Sequence, residues 1–222
     1  MSTNKHSRAV ASLLAACAVM LSCAQARAVQ NDSQVRNTEA HAAESASGWR
    51  GRPLEELRGE RRREPSSPLA NYNLGAALYE AGRYEEAAGF LTRAAELDQT
   101  FAAPRRTLGL AYFKLARYGE AAAAFRELTR VSPRLAEGHN NLGVAYAKAG
   151  KHKEAVAALA EAVRLEPAYA EARFNLGAAL VELSERAAAA EQYAALLPLD
   201  AVLAGRLFRL IHRDKLVDAD SR

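Results

Sequence analysis

The dipeptide Leu-Gly recurs four times in the middle of the chain at a fixed interval of 34 residues, and this spacing constrains the fold more than any other feature. It stands at Leu74-Gly75, Leu108-Gly109, Leu142-Gly143 and Leu176-Gly177. Twelve residues after each glycine comes an alanine: Ala87, Ala121, Ala155 and Ala189. Sixteen after it comes a large apolar residue: Leu91, Phe125, Leu159 and Tyr193. A fixed period of this kind indicates one structural unit that is repeated and stacked on its own copies.

Each copy has the pattern of two helices. Alanine, the best helix former, supplies 51 of the 222 residues. A glycine inside a helix costs about 1 kcal/mol relative to alanine, so we expect a second helix to pack where its side chain would lie. Pro133 and Pro167 end the second helix of their units. The pattern predicts helix pairs at residues 68–81 with 84–97, 102–115 with 118–131, 136–149 with 152–165, and 170–183 with 186–197.

The period, the order of large and small positions and the closing prolines together resemble the tetratricopeptide repeat family, from Pro68 to Ala201. The resemblance implies an all-α fold. It would be a right-handed superhelical solenoid of four 34-residue helix–turn–helix units with a C-terminal capping helix, its inner surface lined by the first helix of each unit. The repeat region then spans residues 66–201, and its units are residues 68–101, 102–135, 136–169 and 170–203.

Both flanks of the repeat region have the pattern of caps. Leu57 lies 34 residues before Leu91, so residues 53–65 are predicted to form a degenerate N-terminal capping helix. Residues 203–222 are predicted to form a C-terminal capping helix and tail, because an apolar stripe of four residues faces away from the arginines. The stripe consists of Leu203, Leu207, Leu210 and Ile211. Residues 29–52 are polar and lack an apolar period, so we expect a disordered linker there.

Residues 1–28 have the pattern of a signal peptide. Lys5 and Arg8 precede an apolar run from Ala9 to Leu21, which is shorter than the roughly 20 residues that span a bilayer. The triplet Ala26-Arg27-Ala28 fits a cleavage site, so the mature chain is predicted to begin at Val29. The expected location is periplasmic or secreted, with no membrane insertion after processing.

A lipoprotein signal is the alternative for the same segment. Both cysteines of the chain, Cys17 and Cys23, lie within residues 1–28, and Met20-Leu21-Ser22-Cys23 resembles a lipoprotein box. In that case Cys23 would carry lipid and anchor the protein to a bacterial membrane. If cleavage instead follows Ala28, the mature chain has no cysteine chemistry at all.

The sequence offers no sign of an enzyme or of nucleic-acid binding. It contains no hydrolase, metalloprotease or phosphate-loop motif, so we expect no catalytic residues, no metal and no cofactor. Three of the 30 Lys and Arg residues lie in residues 1–28, which contain no acidic residue, so the rest nearly balance the 26 Asp and Glu residues. Such a chain lacks the positive field that drives phosphate-backbone binding.

The family binds extended peptides or partner helices on the first helices of its units, so the resemblance implies a peptide-binding groove there. Transferring the family's groove positions residue by residue gives a candidate site of fourteen residues. They are Tyr72, Asn73, Tyr79, Arg106, Leu110, Phe113, Lys114, Asn140, Asn141, Val144, Lys148, Phe174, Asn175 and Val181. Asn73, Asn141 and Asn175 each precede the leucine of Leu-Gly, where an amide suits either a bound peptide backbone or a bond within the stack.

The charges of the units indicate the kind of partner. The second unit carries a net positive charge, whereas the first and fourth are negative. Arg106 and Lys114 are the cations that we expect on the groove face, so the partner should be an extended or helical protein segment with apolar anchors and at least one acidic residue. The predicted function is a non-catalytic protein-interaction scaffold in the cell envelope. The alternative is a regulatory or accessory subunit that docks an envelope enzyme or assembly machine.

Overall fold

A computed structural model describes residues 48–212, and within that range the chain forms ten α-helices and no strand. The helices are α1 Leu54–Arg63, α2 Pro68–Glu80, α3 Tyr84–Leu97, α4 Ala102–Lys114, α5 Tyr118–Val131, α6 Ala136–Lys148, α7 His152–Leu165, α8 Ala170–Glu182, α9 Arg186–Leu196 and α10 Ala201–Ile211. The predicted signal peptide, most of the predicted linker and the tail after residue 212 lie outside the described residues.

Helices α2 to α9 form the four predicted pairs, and the predicted all-α repeat fold is confirmed. Each first helix ends one residue earlier than the pattern predicted, at Glu80, Lys114, Lys148 and Glu182. Within a unit the two helices pack together, and each second helix also packs on the first helix of the next unit. The apolar core therefore runs as a continuous series of clusters from Leu57 to Ile211.

The Leu-Gly glycines permit close contact between the two helices of a unit. A Cβ atom on Gly143 would lie 2.9 Å from Leu159 Cδ2 and 3.2 Å from the carbonyl oxygen of Ala155. On Gly109 it would lie 2.7 Å from Phe125 Cδ1. The second helix thus occupies the space that a side chain would need, which explains why a residue with poor helix propensity recurs at this position.

The turn inside each unit uses one left-handed residue. Its φ angle is 74° at Gly82 and at Gly150, 58° at Ala116 and 63° at Ser184. In each turn the following residue donates its backbone N–H to the first helix, as Lys151 does to Tyr146 O at 2.9 Å. Two of the four turns therefore keep the same geometry without the glycine that favours it.

The fourth residue of each first helix bonds to the loop that precedes its unit. Three of these bonds reach the carbonyl of a closing proline: Asn71 Nδ2 to Pro65 O at 3.1 Å, His139 Nε2 to Pro133 O at 3.0 Å, and Arg173 Nε to Pro167 O at 2.7 Å. Arg105 instead donates to Phe101 O at 2.7 Å and to Ala95 O at 3.0 Å. These side chains satisfy carbonyls of the connection between units and, in the case of Arg105, of the last turn of α3.

The N-terminal cap begins earlier than the sequence indicated. Arg52 donates to Gly48 O at 2.7 Å and to Glu60 Oε2 at 2.6 Å, which fixes the turn before α1. Trp49 packs against the cluster that contains the buried Leu57. Within residues 48–52 of the predicted linker, Trp49 and Arg52 therefore contact the N-terminal cap, and the other residues of the predicted linker lie outside the described residues.

The last unit differs from the others in its second helix and in the contact that its Leu-Gly glycine makes. Helix α9 has 11 residues, whereas the second helices of the other units have 14. A Cβ atom on Gly177 would lie 2.9 Å from Leu207 Cδ1 of α10, although the period assigns this place to Tyr193. Tyr193 is only half buried and packs on Phe208, with ring centroids 5.6 Å apart. The early end of α9 lets α10 insert beside α8 and α9.

Candidate binding groove on the first helices

The first helices of successive units lie side by side and form one continuous face. Helix α2 contacts α4 and helix α6 contacts α8, while the ion pair of Arg106 with Glu137 joins α4 to α6. Residues four apart on a helix share a face, so each helix contributes a strip of side chains. On α4 the strip runs Arg106, Leu110, Lys114, and on α6 it runs Asn140, Val144, Lys148. We call the surface formed by these strips and their equivalents on α2 and α8 the groove.

Polar side chains join neighbouring helices along the edge of the groove that is formed by the N-terminal halves of the first helices. Arg106 Nη1 lies 3.4 Å from Glu137 Oε1 on the next first helix. Asn175 Nδ2 donates to Asn140 Oδ1 at 2.9 Å, and Asn140 Nδ2 lies 3.5 Å from the Tyr169 hydroxyl. Burial, together with nearby carboxylates, raises the pKa of Tyr169, so its hydroxyl keeps its proton. Asn140 and Asn175 therefore bond within the stack in the unbound chain.

Three of the fourteen predicted site residues are buried. Tyr72 is 5% exposed and its ring packs on Phe101, with centroids 5.2 Å apart. Asn73 is 2% exposed, and its side-chain oxygen has no hydrogen-bond partner within the described residues. Asn140 is 7% exposed. Tyr72 and Asn73 are thus not available at the surface, because α1 and Phe101 cover the first unit.

The middle of the groove is lined by half-buried apolar side chains. Leu110 and Phe113 pack against the cluster of the second and third units, and Val181 packs against that of the fourth. Val144 and Asn141 are also half buried. Phe113 makes an edge contact with Tyr118 at 5.2 Å, and Tyr79 a tilted contact with Tyr84 at 5.4 Å. Burial raises the pKa of Tyr79. This apolar floor can take up the side chains of a ligand.

The remaining side chains of the groove lie in the last unit and at the C-terminal ends of the first helices. Phe174, at the last unit, lies beneath the guanidinium of Arg206, which stands 4.6 Å from the ring centroid. Lys114 and Lys148, at the C-terminal ends of α4 and α6, are exposed, and their ammonium groups make no ion pair or hydrogen bond with another described residue. The groove therefore has an internally paired N-terminal edge, an apolar middle and a C-terminal edge with unpaired lysines on its central units.

Sequence reasoning missed three contributors to this surface. Glu137 lies three residues before Asn140, so helical spacing alone could have placed it on the same face. Tyr169 belongs to a column that recurs every 34 residues as Phe101, Leu135, Tyr169 and Leu203, which is a detectable signal. Arg206 carries no such signal, because α10 lies outside the repeat.

Other kinds of site find no support in the part of the chain that the structure describes. Between residues 48 and 212, no three His, Cys, Asp or Glu residues come together as a metal site. Within the same range, no helix has both the length and the apolar character needed to cross a membrane.

Comparisons with known proteins agree with this architecture. The family model described as tetratricopeptide repeat matches residues 54–100, 106–165 and 146–203, which is more than half of the chain. No curated protein sequence matches the chain at a significant level.

Solved structures with the same fold include YrrB and MamA. YrrB, a TPR protein, is 24% identical over 73% of this chain and 85% of its own, with a TM-score of 0.63. MamA from Desulfovibrio magneticus RS-1 is 22% identical over 74% of this chain and 96% of its own, also with a TM-score of 0.63. At these identities the likeness concerns the fold. With the family model and the four stacked units, it leads to one conclusion: the chain is a member of the tetratricopeptide repeat family.

Proposed function

We propose that this protein is an exported, non-catalytic scaffold that binds a segment of a partner protein in the groove on its first helices. The observation that carries the proposal is the apolar floor formed by Leu110, Phe113, Val144 and Val181, whose side chains are only half buried and keep part of their apolar surface exposed. An apolar surface with polar edges is typical of a protein-interaction site.

The fold supports the same function. Tetratricopeptide repeats serve as protein-interaction scaffolds, and YrrB is described as having an unusual peptide-binding site. The groove of this chain crosses four first helices, which lets one extended segment or one helix contact several units at once. A partner of this kind gains affinity by filling the apolar floor and specificity from the charged edges.

The charges favour a partner with an acidic residue, although not by the pairing that the sequence indicated. Arg106 is already paired with Glu137, so it is not a free cation. Lys114 is exposed at the groove edge and has no partner among the described residues. We therefore assign the selection of an acidic residue to Lys114 and Lys148, with Arg106 adding a positive field beside them.

The test begins with a random peptide library selected on the full chain, followed by fluorescence anisotropy of the selected peptides. The double variant Arg106→Glu with Lys114→Glu is expected to weaken binding by about a factor of ten or more, because two groove cations become anions. The change adds a second carboxylate beside Glu137 and leaves the apolar floor intact.

A matched control makes the same charge change away from the groove. Arg93→Glu with Arg164→Glu alters two exposed arginines on second helices, each paired with a glutamate on its own helix. Affinity for the selected peptides should stay unchanged in this control. Equal losses in both double variants, or a loss in the control alone, would place binding outside the groove.

We also propose that the protein acts in the cell envelope, on the basis of the signal-peptide pattern in residues 1–28. N-terminal sequencing of the protein purified from a bacterial host is expected to begin at Val29. A lipid-modified Cys23 would assign the chain to the lipid-anchored form instead. Recovery of a soluble cytoplasmic protein with residues 1–28 intact would contradict export.

A further inference from the structure

Lysine and arginine are used differently in the described part of the chain. Arginines such as Arg52, Arg83 and Arg117 are paired with glutamates. By contrast, the lysines between residues 48 and 212 all lie beside the turns of the second and third units, and their ammonium groups form no ion pair or hydrogen bond with a described residue. They are Lys114, Lys148, Lys151 and Lys153. This edge of the solenoid thus carries four ammonium groups without a direct ion pair among the described residues, although Glu154 lies in the same helix turn as Lys151 and Lys153.

An ion pair between the first and second units has no equivalent between the second and third units. Arg117, which precedes α5, contacts Glu85 of the preceding unit, with 2.9 Å between Arg117 Nη1 and Glu85 Oε1. The residue 34 positions after Arg117 is Lys151, and the residue 34 positions after Glu85 is Gly119. Arg117 also pairs with Glu120 of its own helix, and the residue 34 positions after Glu120 is again a glutamate, Glu154. The cation is therefore kept at the boundary of the second and third units, whereas the carboxylate from the preceding unit is replaced by glycine.

The space left by that carboxylate is open. Gly119 is exposed in the first turn of α5, and a Cβ atom placed on it would meet no atom within 4 Å. Lys114 and Lys148 end the two first helices that flank the same boundary. We call the surface formed by Gly119, Lys114, Lys148 and Lys151 the basic notch. It adjoins the groove, because Lys114 and Lys148 belong to the groove strips.

We propose that the basic notch receives one or more carboxylates of the partner segment that lies in the groove, in the place that a glutamate occupies one unit earlier. This inference rests on the proposed function. A segment that crosses the apolar floor and leaves it at the C-terminal ends of α4 and α6 meets Lys114 and Lys148 first and Lys151 next. Its acidic residues would therefore follow or flank its apolar anchors.

The surrounding charges favour a protein segment over a flat anionic surface. Glu80 and Glu182 occupy the positions of Lys114 and Lys148 in the first and fourth units, and both are exposed. A membrane or a nucleic acid that covered the whole edge would meet these carboxylates as well as the lysines. A single segment can place its acidic residues beside Lys114 and Lys148 alone and avoid Glu80 and Glu182.

The substitution Gly119→Glu tests the inference without removing a lysine. It would supply an internal carboxylate where Glu85 stands one unit earlier, in the first turn of a helix, where a negative charge is favourable. Three sets of fluorescein-labelled peptides with the same apolar residues are used as probes, carrying two glutamates, two glutamines or two lysines. The wild-type chain is expected to bind the glutamate set best, and Gly119→Glu to weaken that binding by about a factor of ten.

Gly89→Glu is the matched control. Gly89 is also an exposed helical glycine on which a Cβ atom would meet no atom within 4 Å, but it lies on α3 in the first unit. This variant should bind the glutamate peptides as the wild type does. The double variant Lys148→Gln with Lys151→Gln should lose the preference for glutamate over glutamine, and the preference of the wild type should fall as salt is added.

The outcomes separate the two proposals. Peptides that lose affinity for the Arg106→Glu, Lys114→Glu variant but bind Gly119→Glu as tightly as wild type would overturn the notch and leave the groove in place. Failure of all three peptide sets to bind would overturn both. Binding of the chain to phosphatidylglycerol vesicles, lost in Lys148→Gln with Lys151→Gln, would assign the lysines to a lipid surface and would also overturn the inference.

Discussion

The variant Gly143→Leu is expected to lower the melting temperature by roughly 6–12 °C, because overpacking of this kind costs about 3 kcal/mol and a domain of this size loses about 2–4 °C per kcal/mol. The cause lies in the third unit, where a Cβ atom at residue 143 would already lie 3.2 Å from the Ala155 carbonyl oxygen. Leu159 can rotate, but a backbone oxygen inside α7 cannot move without separating the two helices. Thermal unfolding followed by circular dichroism at 222 nm measures the effect.

Gly89→Leu provides the comparison for this variant. Gly89 is an exposed glycine inside α3, and a Cβ atom there would contact nothing within 4 Å. Leucine has a better helix propensity than glycine by about 0.8 kcal/mol, so the melting temperature should stay the same or rise. Equal melting temperatures for Gly143→Leu and the parent protein would show that the two helices of the third unit are not in close contact.

The variant Leu207→Ala is expected to destabilise the fold by about 2–5 kcal/mol, which is the usual cost of truncating a buried leucine. Leu207 is fully buried at 0% exposure and fills the space in front of Gly177 that Leu91, Phe125 and Leu159 fill in the other units. Its loss would leave a cavity between α8 and α10, in front of Gly177. Urea titration with the midpoint and slope fitted together measures the change.

Val202→Ala, on the same helix, is the control for Leu207→Ala. Val202 is 74% exposed, so its truncation removes almost no buried surface. Its free energy of unfolding should lie within about 0.5 kcal/mol of the parent protein. If Leu207→Ala were equally harmless, α10 would not be docked against α8, and the fourth unit would have no cap.

The periodic part of the fold could be predicted because the same contact between a glycine column and an apolar column recurs in the first three units. Gly75, Gly109 and Gly143 recur where a second helix approaches, and the contacts are those that the spacing indicated. The last unit departs from the pattern, since Tyr193 keeps the column but not the contact. Leu207, on a helix outside the repeat, contacts Gly177 instead. A contact that occurs only once cannot be predicted from a repeating pattern.

The resemblance to the tetratricopeptide repeat family indicated which positions of the first helices form the groove, but it did not indicate how their side chains pair. Arg106 lies on the first helix of its unit, yet its pairing with Glu137 depends on how α6 is placed beside α4. Likewise, Tyr72 occupies a repeat position that the family uses for ligand binding, whereas Phe101 occupies a position between two units. Their ring centroids lie 5.2 Å apart, and this contact depends on how adjacent helices are placed. The sequence indicates which side chains share a helix face, whereas the offset between helices decides which of them remain free.

The docking of α10 also bears on how such a protein can change in length during evolution. Helix α10 contacts both α8 and α9, and its Leu207 occupies the space in front of Gly177 that a second helix fills in the other units. The fourth unit therefore packs on a capping helix in the way that the other units pack on a neighbouring repeat. Duplication of a 34-residue segment inside the second or third unit would preserve both ends, because every contact at the new boundaries already exists elsewhere in the array. Duplication of the fourth unit would instead place a truncated α9 in the interior. Growth of the array, and with it a longer ligand, is therefore expected to arise from its middle units.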